Sequence, residues 1–298
     1  MDMETYKERK KRTERLKNHL KTSTSRHASN LLTRMTRCGS DWNYRFTCRT
    51  AGCAHCRGSY LSRQRRAALK RFDGVDRNRL AFGSLVVGAT QNLSAVKPMF
   101  EVAKKKLRNL VNTRRAKSIL WHDFEVLGWL EVDAFHRADL DRLPPEKRTQ
   151  MEFLLQEQSA MWDEPVWVVT IHAIVGLGGV DLGQARAELE KKWKGPHCVD
   201  LQPFYTTRTR DESIKTLVRY SLKHECKTAL DGSEFGSIKE EWHGDWMADY
   251  YSFLHQWSRG FHSLRISISR KKKNNEHIKE SIYSEPMYKK YSISISHM

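Results

Sequence analysis

The sequence predicts an α+β fold, an antiparallel sheet with helices on its faces, preceded by a cluster of cysteines. Three observations predict it. Apolar, β-branched runs stand at 80–90, 127–135 and 166–175 and read as strands. Segments with helical spacing of apolar residues separate them, in an order that is not a strict series of strands and crossover helices. Finally, Cys38, Cys48, Cys53 and Cys56 fall within nineteen residues, ahead of the first strand.

Taken in order, residues 1–30 form a basic arm, either a helix or disordered, that ends in the polar "TSTSRHASN". Residues 31–75 are dense in cysteine, arginine and aromatics. "LAFGSLVVGAT" opens a domain over 76–265 as a strand, and "VKPMFEVAKKKLRNLVNTRR" follows as an amphipathic helix. "LGWLEVDAF" is the second strand, and the polar insertion after it is expected to be partly helical. "VWVVTIHAIV" is the third strand. A helix over 181–194, a short strand over 198–204 and a helix over 211–230 come next. The aromatic "EEWHGDWMADYYSFLHQW" precedes a basic tail, 266–298, expected to be flexible.

The chain carries 53 Lys and Arg against 35 Asp and Glu, a formal charge of +18. The excess is not spread evenly. Residues 1–70 hold 18 basic and 5 acidic side chains, residues 265–298 hold 8 and 3, and the body between them is neutral. Two charged arms around a neutral body suit a polyanionic partner, nucleic acid or an anionic membrane surface, gripped through salt-sensitive contacts. No run reaches the ~18 apolar residues of a membrane span, and the N-terminus lacks the apolar core of a signal peptide. Six cysteines do not make a disulfide scaffold in a chain this long. Reduced thiols and a cytoplasmic setting are therefore expected.

The spacing C-x9-C-x4-C-x2-C can close a tetrahedral zinc site, with all four sulfurs as thiolates and no catalysis implied. His55, inside the Cys-x2-Cys knuckle, is an alternative ligand, and unrelated buried thiols are the plain alternative. A zinc site would orient the basic run that follows it, with Arg57, Arg63, Arg65 and Arg66 as candidate DNA contacts. Cys198 and Cys226 are isolated and read as structural.

One histidine sits inside the third strand. Side chains alternate, so Val168, Thr170, His172 and Ile174 share a face. A lone strand histidine is most simply a satisfied core residue. In "KTLVRYSLKHECK", a continuous helix puts Tyr220, Lys223, His224 and Lys227 on one face. On its own that arrangement is surface packing.

Together these pieces change the reading. The order is a Cys-x4-Cys-x2-Cys knuckle, an Arg-rich stretch, an early strand, "GWLEV", a strand carrying histidine, "VDLQP" and "LVRYSLKHE". It resembles the rolling-circle plasmid replication initiators of the HUH endonuclease superfamily, single-tyrosine type, over roughly residues 38–265. The resemblance implies that Tyr220 is the nucleophile and Lys223 its helper, as the Tyr-x-x-Lys of that family. It implies that His172 binds a catalytic Mg2+ or Mn2+, with Glu131 as the carboxylate ligand on the neighbouring strand. Thr170 stands where the family's first histidine is expected, so His122 or His197 is a candidate to fill in. Attack by a phenol on the scissile phosphate would leave a 5′-phosphotyrosine and a free 3′-OH primer. The implied partners are the plasmid double-strand origin, single-stranded at the nick, and host helicase and polymerase. The implied setting is the bacterial cytoplasm.

Two other readings stay open. A transposase of the same superfamily with two tyrosines one turn apart would need Tyr at 224, where this chain has His224. A zinc-containing DNA-binding protein without catalysis is supported by Thr170 and opposed by the Tyr-Lys pair.

Overall fold

Three long β-branched runs become the three central strands. The computed structural model describes residues 5–39, 46–156, 164–222, 224, 226–230, 238–258 and 261–270. Its helices are α1 (Tyr6–Thr22), α2 (Arg26–Thr36), α3 (Ala54–Arg71), α4 (Val96–Lys117), α5 (Pro145–Leu155), α6 (Leu182–Glu190), α7 (Arg210–Ser221) and α8 (Gly244–Trp257). The strands are β1 (Leu80–Thr90), β2 (Glu125–His136), β3 (Pro165–Gly176), β4 (Val199–Pro203), β5 (Lys227–Leu230), β6 (Ile238–Glu241) and β7 (Arg265–Ile268).

The main sheet has five strands in the order β4-β1-β3-β2-β7, and every neighbouring pair is antiparallel. The α+β class expected from the sequence is the one found. Only β2 and β3 are neighbours both in sequence and in the sheet. β1 and β2 both run antiparallel to β3, hence parallel to each other, and α4 makes the crossover between them. α4 lies on the face opposite His172. A Cβ on Gly88, which faces that side through Val169, would strike Met99 of α4. The other face carries α3 and α7. Trp129, fully buried, donates its indole N–H to Gln64 of α3 at 3.2 Å.

The helix expected over 211–230 ends at Ser221. Leu222 leaves helical geometry, His224 and Cys226 take left-handed backbone (φ 39° and 55°), and the chain re-enters a sheet as β5, paired with β6. Tertiary contacts override the local helical pattern here. Tyr251 donates to the His224 carbonyl at 2.8 Å, the His224 ring meets the Tyr250 hydroxyl at 3.0 Å, and Thr228 donates to the Ala134 carbonyl of β2. His224 and Lys227 therefore do not share a helix face with Tyr220, and Lys223 lies outside the described residues.

The N-terminal segment is not an appendage. α1 and α2 pack on α8, and Leu16, Leu20, Leu31 and Met35 belong to one continuous core with the sheet. The boundary expected at residue 30 falls inside α2, and that at 265 falls at the start of β7. Residues 271–298 of the expected tail lie outside the described residues.

Candidate active site and metal centre

The cysteine cluster is built by a turn and a helix start. Cys53 occupies the N-cap of α3, and Cys56 sits in its first turn. Its side chain gives no cap bond, and that task falls to α1: Thr13 Oγ1 accepts the Ala54 N–H at 3.0 Å. Cys38 follows α2 directly. The four sulfurs lie within 4.8 Å of one another, with Cys38–Cys56 and Cys48–Cys56 at 3.5 Å and Cys38–Cys53 at 3.7 Å. Sulfurs around a tetrahedral zinc with Zn–S near 2.3 Å stand about 3.8 Å apart, so the spacing fits such an ion. Two backbone N–H groups already point at sulfur, Cys48 to Cys38 Sγ at 3.4 Å and Arg49 to Cys56 Sγ at 3.3 Å. Hydrogen bonds from Cys48 and Cys56 hold the Cys53 thiol pKa low, and the same contact with Cys53 pushes that of Cys48 up. Four sulfurs this close cannot all be anions without a cation among them. The cluster can hold a metal such as zinc. The ligand set needs no help from His55.

The second site lies on the α3–α7 face of the sheet. Across β3, Glu131 of β2 is paired with Thr170, and Trp129 with His172. Register thus sets Glu131 diagonal to His172, and its Oε2 accepts from His172 Nε2. His172 is 5% exposed, and its Nδ1 has no hydrogen-bond partner among the described residues. Tyr220, on the last turn of α7, meets the His172 ring edge-to-face with centroids 5.1 Å apart. Phe82 of β1 completes the group, stacked on His172 at 5.6 Å and edge-on to Tyr220 at 6.0 Å. Sequence reading missed Phe82. Its parity with Ser84 was visible, but pairing of β1 with β3 rather than β2 was not.

Three predicted site residues thus come together: Tyr220, His172 and Glu131. Thr170 is adjacent, and it offers a hydroxyl where an imidazole would complete a ligand pair. The two histidines considered as substitutes go elsewhere. The His122 ring contacts the Arg115 carbonyl at the end of α4, and the His197 carbonyl accepts from Gln150 of α5. Among the described residues, the only group of three or more metal-ligating side chains is the cysteine cluster. Asp133, on the same face as Glu131, is engaged by Lys147 at 2.8 Å. The imidazole of His172 and the carboxylate of Glu131 are bonded directly to each other, and both side chains are largely buried.

The four arginines divide. Arg57 is 6% exposed, and its Nε donates to the Leu222 carbonyl at 3.2 Å. It is a strut between α3 and the end of α7, and its burial leaves little of the guanidinium on the surface for the DNA contact expected of it. Burial, then the positive charges of Arg219 and Arg9, lower the Arg65 pKa, so these guanidinium groups share one patch. Arg63 and Arg66 are exposed on α3. Among the described residues no helix is long and apolar enough to cross a membrane. Comparisons with protein-family models, with curated proteins and with solved structures found no match.

Proposed function

We propose that this chain is a rolling-circle replication initiator that nicks one DNA strand with Tyr220. The observation that carries the reading is the meeting of the Tyr220 and His172 rings at 5.1 Å, with Glu131 bonded to the same imidazole. These residues come from a helix and two strands far apart in sequence, and they are the ones the resemblance implies.

In this reading the Tyr220 oxygen attacks the scissile phosphorus, the bond to the 3′ oxygen breaks, and the proton lost by the phenol is balanced by the one gained at the 3′-OH. Lys223 favours the phenolate, since a phenol with a pKa near ~10 is otherwise a weak nucleophile at neutral pH. His172 and Glu131 would hold Mg2+ or Mn2+, which supplies polarisation of the scissile phosphate. Phe82 stacks on the His172 ring beside Tyr220 and restrains its orientation. The zinc assigned to Cys38, Cys48, Cys53 and Cys56 is structural. The product link stores the phosphodiester for rejoining. The partner is origin DNA, with host helicase and polymerase acting on the primer.

A non-catalytic DNA-binding protein is the second reading, favoured by Thr170 and by the two-donor site. One experiment separates the two. Labelled single-stranded oligonucleotides tiled across the plasmid that carries the gene are incubated with the full chain and Mn2+. A covalent adduct that vanishes in Tyr220→Phe, with DNA affinity unchanged, supports nicking. Adduct formation by Tyr220→Phe would move the nucleophile elsewhere, and binding without any adduct favours the second reading.

A further inference from the structure

Beside the cysteine cluster, on its side toward the segment leading into β7, lies a cavity of about 260 Å³. Its polar lining is Thr47, Arg49, His55, Ser59, Arg63 and His262. Two guanidinium groups, two imidazoles and two hydroxyls converge, and among the described residues no carboxylate lines the space. Neither Arg49 nor Arg63 forms an ion pair with a carboxylate of the described residues.

The surrounding structure holds this lining in place. Arg49 has left-handed backbone, φ 54°, and its N–H is tied to Cys56 Sγ. A residue held in that region is over-determined by its neighbours, here the cysteine loop. His55 and Ser59 stand on the first turns of α3, whose N-terminal amides add positive potential. On the far wall, Phe261 stacks on Tyr60 at 4.2 Å and takes φ 68°, which fixes the following His262. Partial burial, then Arg265, Arg63 and Arg49, lower the His262 pKa, so a third guanidinium lies close by. Arginines with no carboxylate partner among the described residues, gathered around a small recess, suit a compact anion with several acceptor oxygens. The volume falls below the ~300 Å³ at which pockets begin to take drug-sized ligands, so a phosphate group with water fits better than a whole nucleotide.

We propose that this cavity binds a phosphate group. Its source is either a phosphodiester of a bound strand or a free or terminal phosphate. The proposal goes beyond the nicking chemistry and needs neither Tyr220 nor His172.

The test uses the full chain with its metal and three probes: inorganic phosphate, an unphosphorylated thymidine oligonucleotide, and the same oligonucleotide with a 5′-phosphate. In the wild type, phosphate should perturb the His55 and His262 ring resonances selectively among the histidines. Arg49→Gln/Arg63→Gln should lose phosphate binding by about ten- to a hundredfold, the cost of losing charge-assisted bonds. Arg186→Gln is the charge control, since α6 packs beside β4 at the opposite edge of the sheet from β7. If the double variant also loses affinity for the unphosphorylated strand, the source is the backbone. If only the 5′-phosphorylated strand or free phosphate is lost, the source is a terminal or free phosphate. Phosphate that perturbs all histidines alike, or a folded double variant that binds every probe as the wild type does, overturns the proposal. Adduct formation is scored separately, so loss of the nicking reading leaves this result standing.

Discussion

At the residue scale, one imidazole carries most of the weight. His172 is buried among apolar neighbours, yet its Nε2 faces a carboxylate and its ring meets a tyrosine. A core histidine needs neither. In His172→Ala, metal-dependent nicking should disappear, while Thr170→His should lower the Mn2+ concentration needed for it. Losing groups that only orient a ligand costs about 10–100-fold, so losing a direct donor should exceed that range. Metal-dependence curves for adduct formation check both. If His172→Ala nicks like the wild type, the histidine is packing. The face shared by Thr170 and His172 was legible because strand alternation is strict. On β2 the same parity put Trp129, Glu131 and Asp133 on one face, and only the resemblance pointed to Glu131 among them. Phe82 could not be read, because only the folded register pairs Ser84 with His172.

At the element scale, α7 is the instructive case. Its apolar spacing continues past Ser221, and a continuous helix was the natural expectation, but the folded chain turns back to make β5. What stops it lies far away in sequence: the hydroxyls of Tyr250 and Tyr251 on α8, and the Arg57 guanidinium of α3 on the Leu222 carbonyl. No local window contains those partners. Arg57→Gln should therefore free the end of α7 and slow adduct formation, with the salt dependence of DNA affinity unchanged. Stability should fall by about 1.5–3 kcal/mol, the worth of a hydrogen bond to a charged group. A variant that instead loses DNA affinity uniformly, with a shallower salt slope, would make Arg57 a phosphate contact. The cysteine loop, by contrast, was legible, because ligand spacing is a local property. Elemental analysis of protein purified without added metal should find close to one zinc per chain. Cys53→Ser should lower that content and the unfolding temperature together, and unchanged zinc in the variant would refute the assignment.

At the scale of the whole molecule, charge and core divide the N-terminal segment between two tasks. Composition marks residues 1–70 as the basic end of the chain, and by charge alone they read as an arm around the body. The fold makes α1 part of the body. Leu16 and Leu20 are buried, Thr13 caps α3, and a Cβ on Gly52 would strike Leu16 Cδ2 and come within 3.3 Å of the Tyr251 ring. One face of the helix is thus core, and the opposite one is exposed and basic at Lys7, Lys10 and Lys11. The two faces should separate in experiment. Leu16→Ala should cost about 2–5 kcal/mol of stability, the range for a leucine truncated in a packed core, with the salt dependence of DNA binding unchanged in the folded fraction. Lys7→Gln/Lys10→Gln/Lys11→Gln should leave denaturant unfolding within error. If all three lysines neutralise phosphates, the variant should flatten the plot of log affinity against log salt by up to about 2, at ~0.7 per phosphate on a single strand. Should the triple variant keep the full slope while truncation at Leu16 leaves stability intact, α1 would be neither core nor DNA contact. The basic excess of this end would then act only from α3 and the loop before it.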